Sequence, residues 1–535
     1  MKSKNYWCCL RDCKGMRPWV GWRTVSESFA GRHRQIITVG VDQRRKIMVL
    51  DRLFKLSENR TTVRIEMGAG LITFLTMSYI IFVQPAVLSG QMFNSPTGMD
   101  FGAVMVATCL AAALATLIMA FWANYPIALA PGMGENFFFV LSVISAAGSL
   151  AVVKAGVTTA WQVALGVVFI SGILFFVLYL LGVREKMLDA VSPSLKSAIA
   201  VGIGLFIAFI GFQNAGLIVS AAAVVPVTPP VLVPGTLVKL NPHFSSPDMI
   251  VFFSGLLLTA VLHTRRVRGS ILWGMAGATA LAVGLKFVLP AIPSLAALPA
   301  VSESVLMKRF TIATGVVAMP PSIGPVFMKM DVIHALSGTM IPFIIIFLFM
   351  DVFDTLGTMI GVAEQAGFVR NNKLPRASKV MLADQAGTLV GAVLGTSTTT
   401  SYIESCAGVE HGGRTGLTAL TTAMLFLLAL FFSPLVAMIA SYPAITAPAL
   451  VLVGSMMVGN VTKVDWSDYS ESVPAFLTMI GIPLTYSISD GIALGFVAYP
   501  VVKLFSGRAR EVHWMMYVIA VLLIAYFVGI RSGMN

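Results

Sequence analysis

The chain is 535 residues long, 57% hydrophobic and only 11% charged, with a mean hydropathy of +0.85. A soluble domain carries roughly 25% charged residues, so an ordinary water-soluble enzyme is excluded. The formal net charge of +13 is no sign of nucleic-acid binding: residues 1–47 supply eight of those charges, and much of the rest sits in short loops, where basic residues report membrane orientation.

Apolar stretches of about 20 residues, the length of a membrane-crossing helix, recur from Met67 to the C-terminus. The fold class is therefore an all-α polytopic membrane protein. Residues 1–47 lack the apolar core of a signal peptide and read as a basic cytoplasmic tail. A second reading starts translation at Met48 and leaves this extension unmade. Cys8, Cys9 and Cys13 lie in it, and Cys109 and Cys406 lie in apolar stretches. They form no paired framework, so no disulfide scaffold is expected.

Residues 48–66 look amphipathic and interfacial. Spans are predicted over 67–88 and 101–122. The stretch Asn124–Phe139, NYPIALAPGMGENFFF, then breaks the pattern. Pro126, Pro131, Gly132 and Gly134 disfavour a continuous helix. An extended piece over 125–130 and a half-helix from about Gly132 are expected, with Asn136 in its first turns and its positive end aimed into the membrane. Spans follow at 159–181, 194–218, 250–262 and 269–288. Arg184 and Lys186 after one span, and Arg265, Arg266 and Arg268 after another, place those loops, and the N-terminus, in the cytoplasm. The Pro-rich connections 223–242 and 289–330 are then external.

A span over 342–362 carries Asp351 and Asp354, three apart and so on one helical face. A basic loop over 369–379 is expected in the cytoplasm, and the span at 380–394 carries Asp384. Next comes Gly395–Thr418, GTSTTTSYIESCAGVEHGGRTGLT, too polar for a lipid-facing helix yet placed at membrane depth. Non-helical backbone at that depth is tolerated only where protein or a cavity satisfies it. A carboxylate there, Glu404, marks a functional site by default; the bland alternative is a surface loop, as is the plainer reading of His411. Spans at 417–438, 447–458, 473–486 and 491–504 follow. A last apolar run, 515–530, either crosses the bilayer or lies along it.

The two halves echo each other. Each has about seven spans, and the third is the interrupted one. An odd number of spans inverts the second copy, and matched interruptions are the best sequence pointer to a transporter's binding site.

Four motifs carry a family resemblance: LAPGMGEN (Leu129–Asn136), DVFDTLGTMIGVA (Asp351–Ala363), ADQAGTLVGA (Ala383–Ala392) and GTSTTTSYIESCAGVEHGGRTGLTA (Gly395–Ala419). From about Met48 onward the chain resembles the AzgA-like purine permeases of the nucleobase–cation symporter 2 family, in the xanthine/uracil permease superfamily. The resemblance implies about 14 transmembrane segments in two inverted repeats of seven, with the third and tenth segments broken by short strands that meet near the midplane. Core domain parts would be 67–190 (spans 1–4) and 331–440 (spans 8–11). Gate domain parts would be 191–330 (spans 5–7) and 441–535 (spans 12–14 and the C-terminal hydrophobic segment). It also implies a homodimer in the cell membrane that imports adenine, guanine or hypoxanthine, usually with protons. One departure stands out: the family usually has an apolar residue where this chain has Glu135.

A purine is flat and neutral, edged with N–H donors and ring acceptors, so its site needs matching groups in a mostly apolar slot. Carboxylates accept N–H bonds and amides both give and take. Glu404, Asp354, Asp351 and Asn136 are the candidate substrate-binding residues. Asp351 and Asp354 cannot both ionise cheaply so close together, which suits a proton carrier. Asp354, Asp384 and Glu135 are candidates for proton coupling, with sodium as the other possible ion. The Phe137–Phe139 run reads as packing. No Walker lysine motif, HExxH or nucleophile elbow occurs, which disfavours an ATP-driven pump and a membrane hydrolase. Nothing calls for a cofactor or a metal. The alternatives are an anion carrier of the same fold, sulfate-like in its substrate, and a passive channel.

Overall fold

The computed structural model describes residues 49–93, 95–180, 191–220, 223–225, 231–233, 238–241, 244–366, 368 and 376–525. The tail 1–47, the loop with Arg184 and Lys186, the residues Arg370 and Lys373, and the final run beyond Ala525 lie outside the described residues. Residues 49–54 are helical and a turn covers 56–60.

The first span is two helices, α1 (Val63–Met77) and α2 (Ile80–Leu88). It begins four residues before the expected Met67, because Thr62 caps it by accepting from the Ile65 N–H. The second is α3 (Phe101–Ile118), capped by Asp100 and ended by a widened turn that closes on Asn124 in the left-handed region. Strand β1 (Leu129–Pro131) and helix α4 (Met133–Phe137) follow, and helical structure continues to Gly148. Then come α5 (Ala160–Leu180), α6 (Pro193–Asn214), α7 (Pro247–Thr264) and α8 (Ser270–Ala291). The second half holds α9 (Ile341–Gln365), α10 (Ala377–Leu394), β2 (Thr399–Ser401), α11 (Ser405–Glu410) and α12 (Gly416–Ala429). It closes with α13 (Pro443–Val458), α14 (Tyr469–Thr485), α15 (Ile488–Phe505) and α16 (Trp514–Ala525).

Among the described residues, eight helices are long and apolar enough to cross a membrane. Helix α10 is not one of them, since it carries Lys379, Asp384 and Gln385 amid its apolar residues. The helices of the two halves interleave. Helix α1 packs on α12, α3 on α10 and α12, and α5 on α9 and α10. Separately, α6 packs on α13 and α14, α7 on α8 and α13, and α14 on α15. Where α6 crosses α13, Gly204 and Gly454 meet so closely that a Cβ on either would lie within 2.7 Å of the other's carbonyl oxygen.

The two polar interruptions meet in space. Strands β1 and β2 pair antiparallel, with Leu129 opposite Ser401, Ala130 opposite Thr400 and Pro131 opposite Thr399. Gly132 N–H to Thr398 O and Tyr402 N–H to Ala128 O extend the ladder at 3.0 Å each. All six strand residues are buried, so their outer backbone groups need partners inside the protein. One threonine serves each strand. On α3, the Thr116 hydroxyl donates to Leu129 O and accepts from Leu129 N–H. On α10, the Thr388 hydroxyl does the same for Thr399. Gly395 makes the approach to β2 possible: its φ is +95°, and a Cβ there would lie 2.5 Å from the Val326 side chain.

Candidate functional site

A cavity of about 590 Å³ lies against the strand pair. One side is formed by Gly132–Glu135 after β1, Thr400–Glu404 in and after β2, Tyr79 between α1 and α2, and Met350, Asp354 and Thr358 on α9. The other is formed by α6 and α13, with Ile203, Val453 and Met457 among its residues. Apolar walls with a few polar groups are the general form of a small-molecule site.

Glu404 stands just ahead of α11, three residues past its strand. Its side chain does not cap the helix; its Oε1 accepts from the Tyr79 hydroxyl at 2.7 Å. Its main-chain carbonyl accepts from Thr76 Oγ1 at 3.3 Å. Glu404 and Asp354 are both half-buried and line the same cavity. Glu135, four residues past the other strand, also lines it. It is 2% exposed, and among the described residues its Oε2 has no hydrogen-bond partner. The missing side chain at Gly132 leaves room for it, since a Cβ there would lie 2.1 Å from that oxygen.

Three further candidates sit behind this wall. Asp351 Oδ2 accepts from Gln385 Nε2 at 2.9 Å, while its Oδ1 has no partner among the described residues. Asp384 accepts from Thr355 Oγ1 at 2.6 Å and from Ser401 Oγ at 2.9 Å. Thr355 in turn meets Thr400 Oγ1 at 3.0 Å. Asn136 is fully buried; its Oδ1 accepts from Ser397 Oγ and its Nδ2 has no partner among the described residues. None of the three is among the residues that line the cavity. They brace it, and Asp384 connects to the cavity residues Thr400 and Ser401 directly or through one hydroxyl. Among the described residues, none of the five acids forms an ion pair. Phe137, Phe138 and Phe139 are fully buried; Phe138 packs on Phe343 and Phe347.

A family model described as "Permease family" (Xan_ur_permease) matches residues 64–494, which take in both strands and every residue just named. The chain belongs to this xanthine/uracil permease family, among its AzgA-like purine permeases. The guanine/hypoxanthine permease PbuO of Bacillus subtilis is 43% identical over 470 residues, covering 88% of this chain and 98% of that one. The adenine permease AdeQ of Escherichia coli is 37% identical over 474 residues, covering 88% and 95%. Among solved structures, the transmembrane domain of the cyanobacterial bicarbonate transporter BicA superposes with a TM-score of 0.54 at 14% identity, over 82% of this chain and 97% of that one. At that identity the likeness is one of fold.

In this permease two cavity residues escaped the sequence reading. Tyr79 donates to Glu404, and the Tyr402 hydroxyl donates to Pro131 O at 2.5 Å, tying β2 to the end of β1. Their one sequence signal is the tripeptide Ser-Tyr-Ile, present at Ser78–Ile80 and again at Ser401–Ile403. Glu66 escaped as well. It is fully buried and accepts from the N–H groups of Arg414, Thr415 and Thr418 and from the Thr418 hydroxyl, binding α1 to the start of α12. An acid in the first turn of a span looks interfacial until the helix that covers it is known.

Proposed function

We propose that this permease imports purine nucleobases, of the adenine, guanine and hypoxanthine kind, by symport with a cation, the proton first and sodium second, through alternating access. The observation that carries the reading is one cavity holding Glu404, Asp354 and Glu135 at the crossing of two buried strands. Carboxyl groups there can accept the N–H edge of a flat base, with Tyr79 fixing Glu404. Among the described residues none of the five acids has a basic partner, and a proton or sodium ion bound with the base would neutralise part of their charge. The names of the relatives support the purine class.

The strand pair and its matched threonines support 14 spans in two inverted repeats. The interleaved packing supports a core of spans 1–4 and 8–11 and a gate of spans 5–7 and 12–14. On the positive-inside reading the starts of α6 and the end of α13 face the cytoplasm, so the cavity opens inward in the cell membrane. A homodimer through the gate completes the proposal.

Uptake of radiolabelled adenine, guanine, hypoxanthine and uracil into cells lacking their own carriers tests it. Glu404→Gln should lose purine uptake while still inserting in the membrane; normal uptake would remove Glu404 from the site. A proton ionophore should collapse uptake against a gradient, whereas flux that merely follows the purine gradient would make the protein a channel. An anion carrier is disfavoured, because these carboxylates would repel its cargo.

A further inference from the structure

Asp384 does not line the cavity, yet an acid that couples transport has to exchange its proton with the space where the cargo binds. Its surroundings supply a route. Asp351 and Thr355 stand four apart on α9, and Asp384 and Thr388 four apart on α10, so each helix turns one acid and one hydroxyl toward the other. Both carboxyl oxygens of Asp384 are met by hydroxyls: Ser401 Oγ donates to Oδ1 at 2.9 Å and Thr355 Oγ1 donates to Oδ2 at 2.6 Å. A hydroxyl has one proton and two lone pairs. The Thr355 proton is committed to Asp384, so at the 3.0 Å contact between Thr355 and Thr400 it is Thr400 that donates. Thr400 lines the cavity. Thr400, Thr355 and Asp384 thus form an unbroken file of buried oxygens leading back from the cavity wall. Each contact lies within the roughly 2.6–3.2 Å over which a proton passes directly. Among the described residues, the charged groups that face Asp384 are acids, Asp351 and Asp354 on α9 and Glu135 on α4. Helices α3 and α5, also packed on α10, bring only Cys109 and Tyr179 as titratable residues, and Lys379 of α10 itself lies over the Trp122 ring.

We propose that Thr355 is the positioning residue that passes the coupling proton between the cavity and Asp384, with Thr400 as the entry hydroxyl. The inference rests on the symport reading above and selects its ion: hydroxyls in direct contact hand on a proton and leave no room for a sodium ion between them. In the uptake step a hydronium ion in the cavity gives a proton to Thr400 Oγ1, Thr400 gives its own to Thr355 Oγ1, and Thr355 gives its own to Asp384 Oδ2. Three O–H bonds break and three form. A water molecule is left in the cavity and Asp384 becomes neutral. The hydroxyls then point the other way, from Asp384 toward the cavity, and release retraces the same file. Ser401 holds the other carboxyl oxygen meanwhile. An acid set behind the wall in this way stores a proton without standing where the base binds, which fits the general place of ionisable groups in membrane proton relays.

The test uses the full-length protein reconstituted in liposomes. Radiolabelled guanine or adenine, whichever the parent carries, is followed in two modes: accumulation driven by an inside-alkaline pH step, and exchange against unlabelled base at equal pH. Thr355→Val keeps the shape of the side chain and removes the hydroxyl. Its pH-driven accumulation should fall by about ten-fold or more, the scale of a lost proton-transfer group, while exchange stays close to the parent's. Thr355→Ser, which returns the hydroxyl, should restore accumulation. A sodium gradient at equal pH should drive none. Unchanged accumulation in Thr355→Val overturns the inference. Equal loss in both modes also overturns it, and makes Thr355 a brace for the strand pair. So does a serine variant that fails to recover, or accumulation by the parent on a sodium gradient alone; each of these leaves the purine reading standing. If the parent moves no purine in either mode, the reading beneath falls too.

Discussion

Glu135 and Glu404 occupy matching places, each a few residues past its strand, yet they are held differently. Glu404 is fixed by a tyrosine hydroxyl, whereas Glu135, nearly fully buried, has one carboxyl oxygen without a partner among the described residues. An acid left that way is costly unless a ligand or an ion completes it. We expect Glu135→Leu to insert and fold normally, because the new side chain is apolar, buried and close in volume. Its purine uptake should depend less steeply on external pH than that of the parent. An unchanged pH profile would leave Glu135 outside the coupling machinery. Asp351 and Asn136 illustrate the limit of reading single residues. The chemistry of Asn136 suggests a partner for a base edge, and Asp351 reads as a supporting acid able to exchange roles with Asp354; the geometry sets both one layer back, where they bond Ser397 and Gln385.

Among the elements, the strand pair depends most on single side chains. Thr116 and Thr388 each satisfy both backbone groups of one strand residue. Thr388→Val keeps the shape and orphans a buried N–H and C=O, at about 1–3 kcal/mol for each group left unpaired. The expected result is a lower melting temperature in detergent, with Thr388→Ser close to the parent. A second device lies at the ends of α14 and α15. Lys503, buried, meets Glu471 at 2.9 Å and Glu511 at 3.0 Å, and Arg508 meets Asp468 at 2.6 Å. The Ser470 hydroxyl first, and Arg508 next, hold Asp468 below the usual carboxylate range. Glu511 is lowered chiefly by its bond to Arg508. Groups whose acidity rises on folding stabilise above their ordinary pKa of about 4, and that contribution fades as pH falls through the folded value. Arg508→Ala should therefore shrink the difference between melting temperatures at pH 7 and at about pH 2, well down in the window in which the lowered carboxylates take up their protons. An unaltered difference would show that the cluster contributes nothing.

For the whole molecule, orientation is the property that loop charge predicts most directly. Arg265, Arg266 and Arg268 lie between α7 and α8, and Val316 lies in the long connection between α8 and α9, where it is exposed. In a chain stripped of its own cysteines, Val316→Cys should react with a membrane-impermeant thiol reagent on intact cells. Arg266→Cys should react only after permeabilisation. The reverse pattern would invert the topology and turn the cavity outward. The interleaving of the two halves makes the pattern consequential, since the cavity's strand side and its α6–α13 side each draw on both halves of the chain.

Much of this was legible before any coordinates. Hydropathy located nearly every long helix to within a few residues, because a segment in lipid must close its own backbone hydrogen bonds and be apolar over a set length. Proline, glycine and threonine located the two breaks for the same reason, and the long motif around Glu404 named the family. The strand register, the tyrosine beside Glu404, the recessed place of Asn136 and the burial of Glu66 were not legible. Each depends on which residue from a distant part of the chain arrives alongside, and local pattern carries no record of that. The cavity itself is of this kind: its lining residues belong to segments far apart in order, and only their packing makes them the walls of one space.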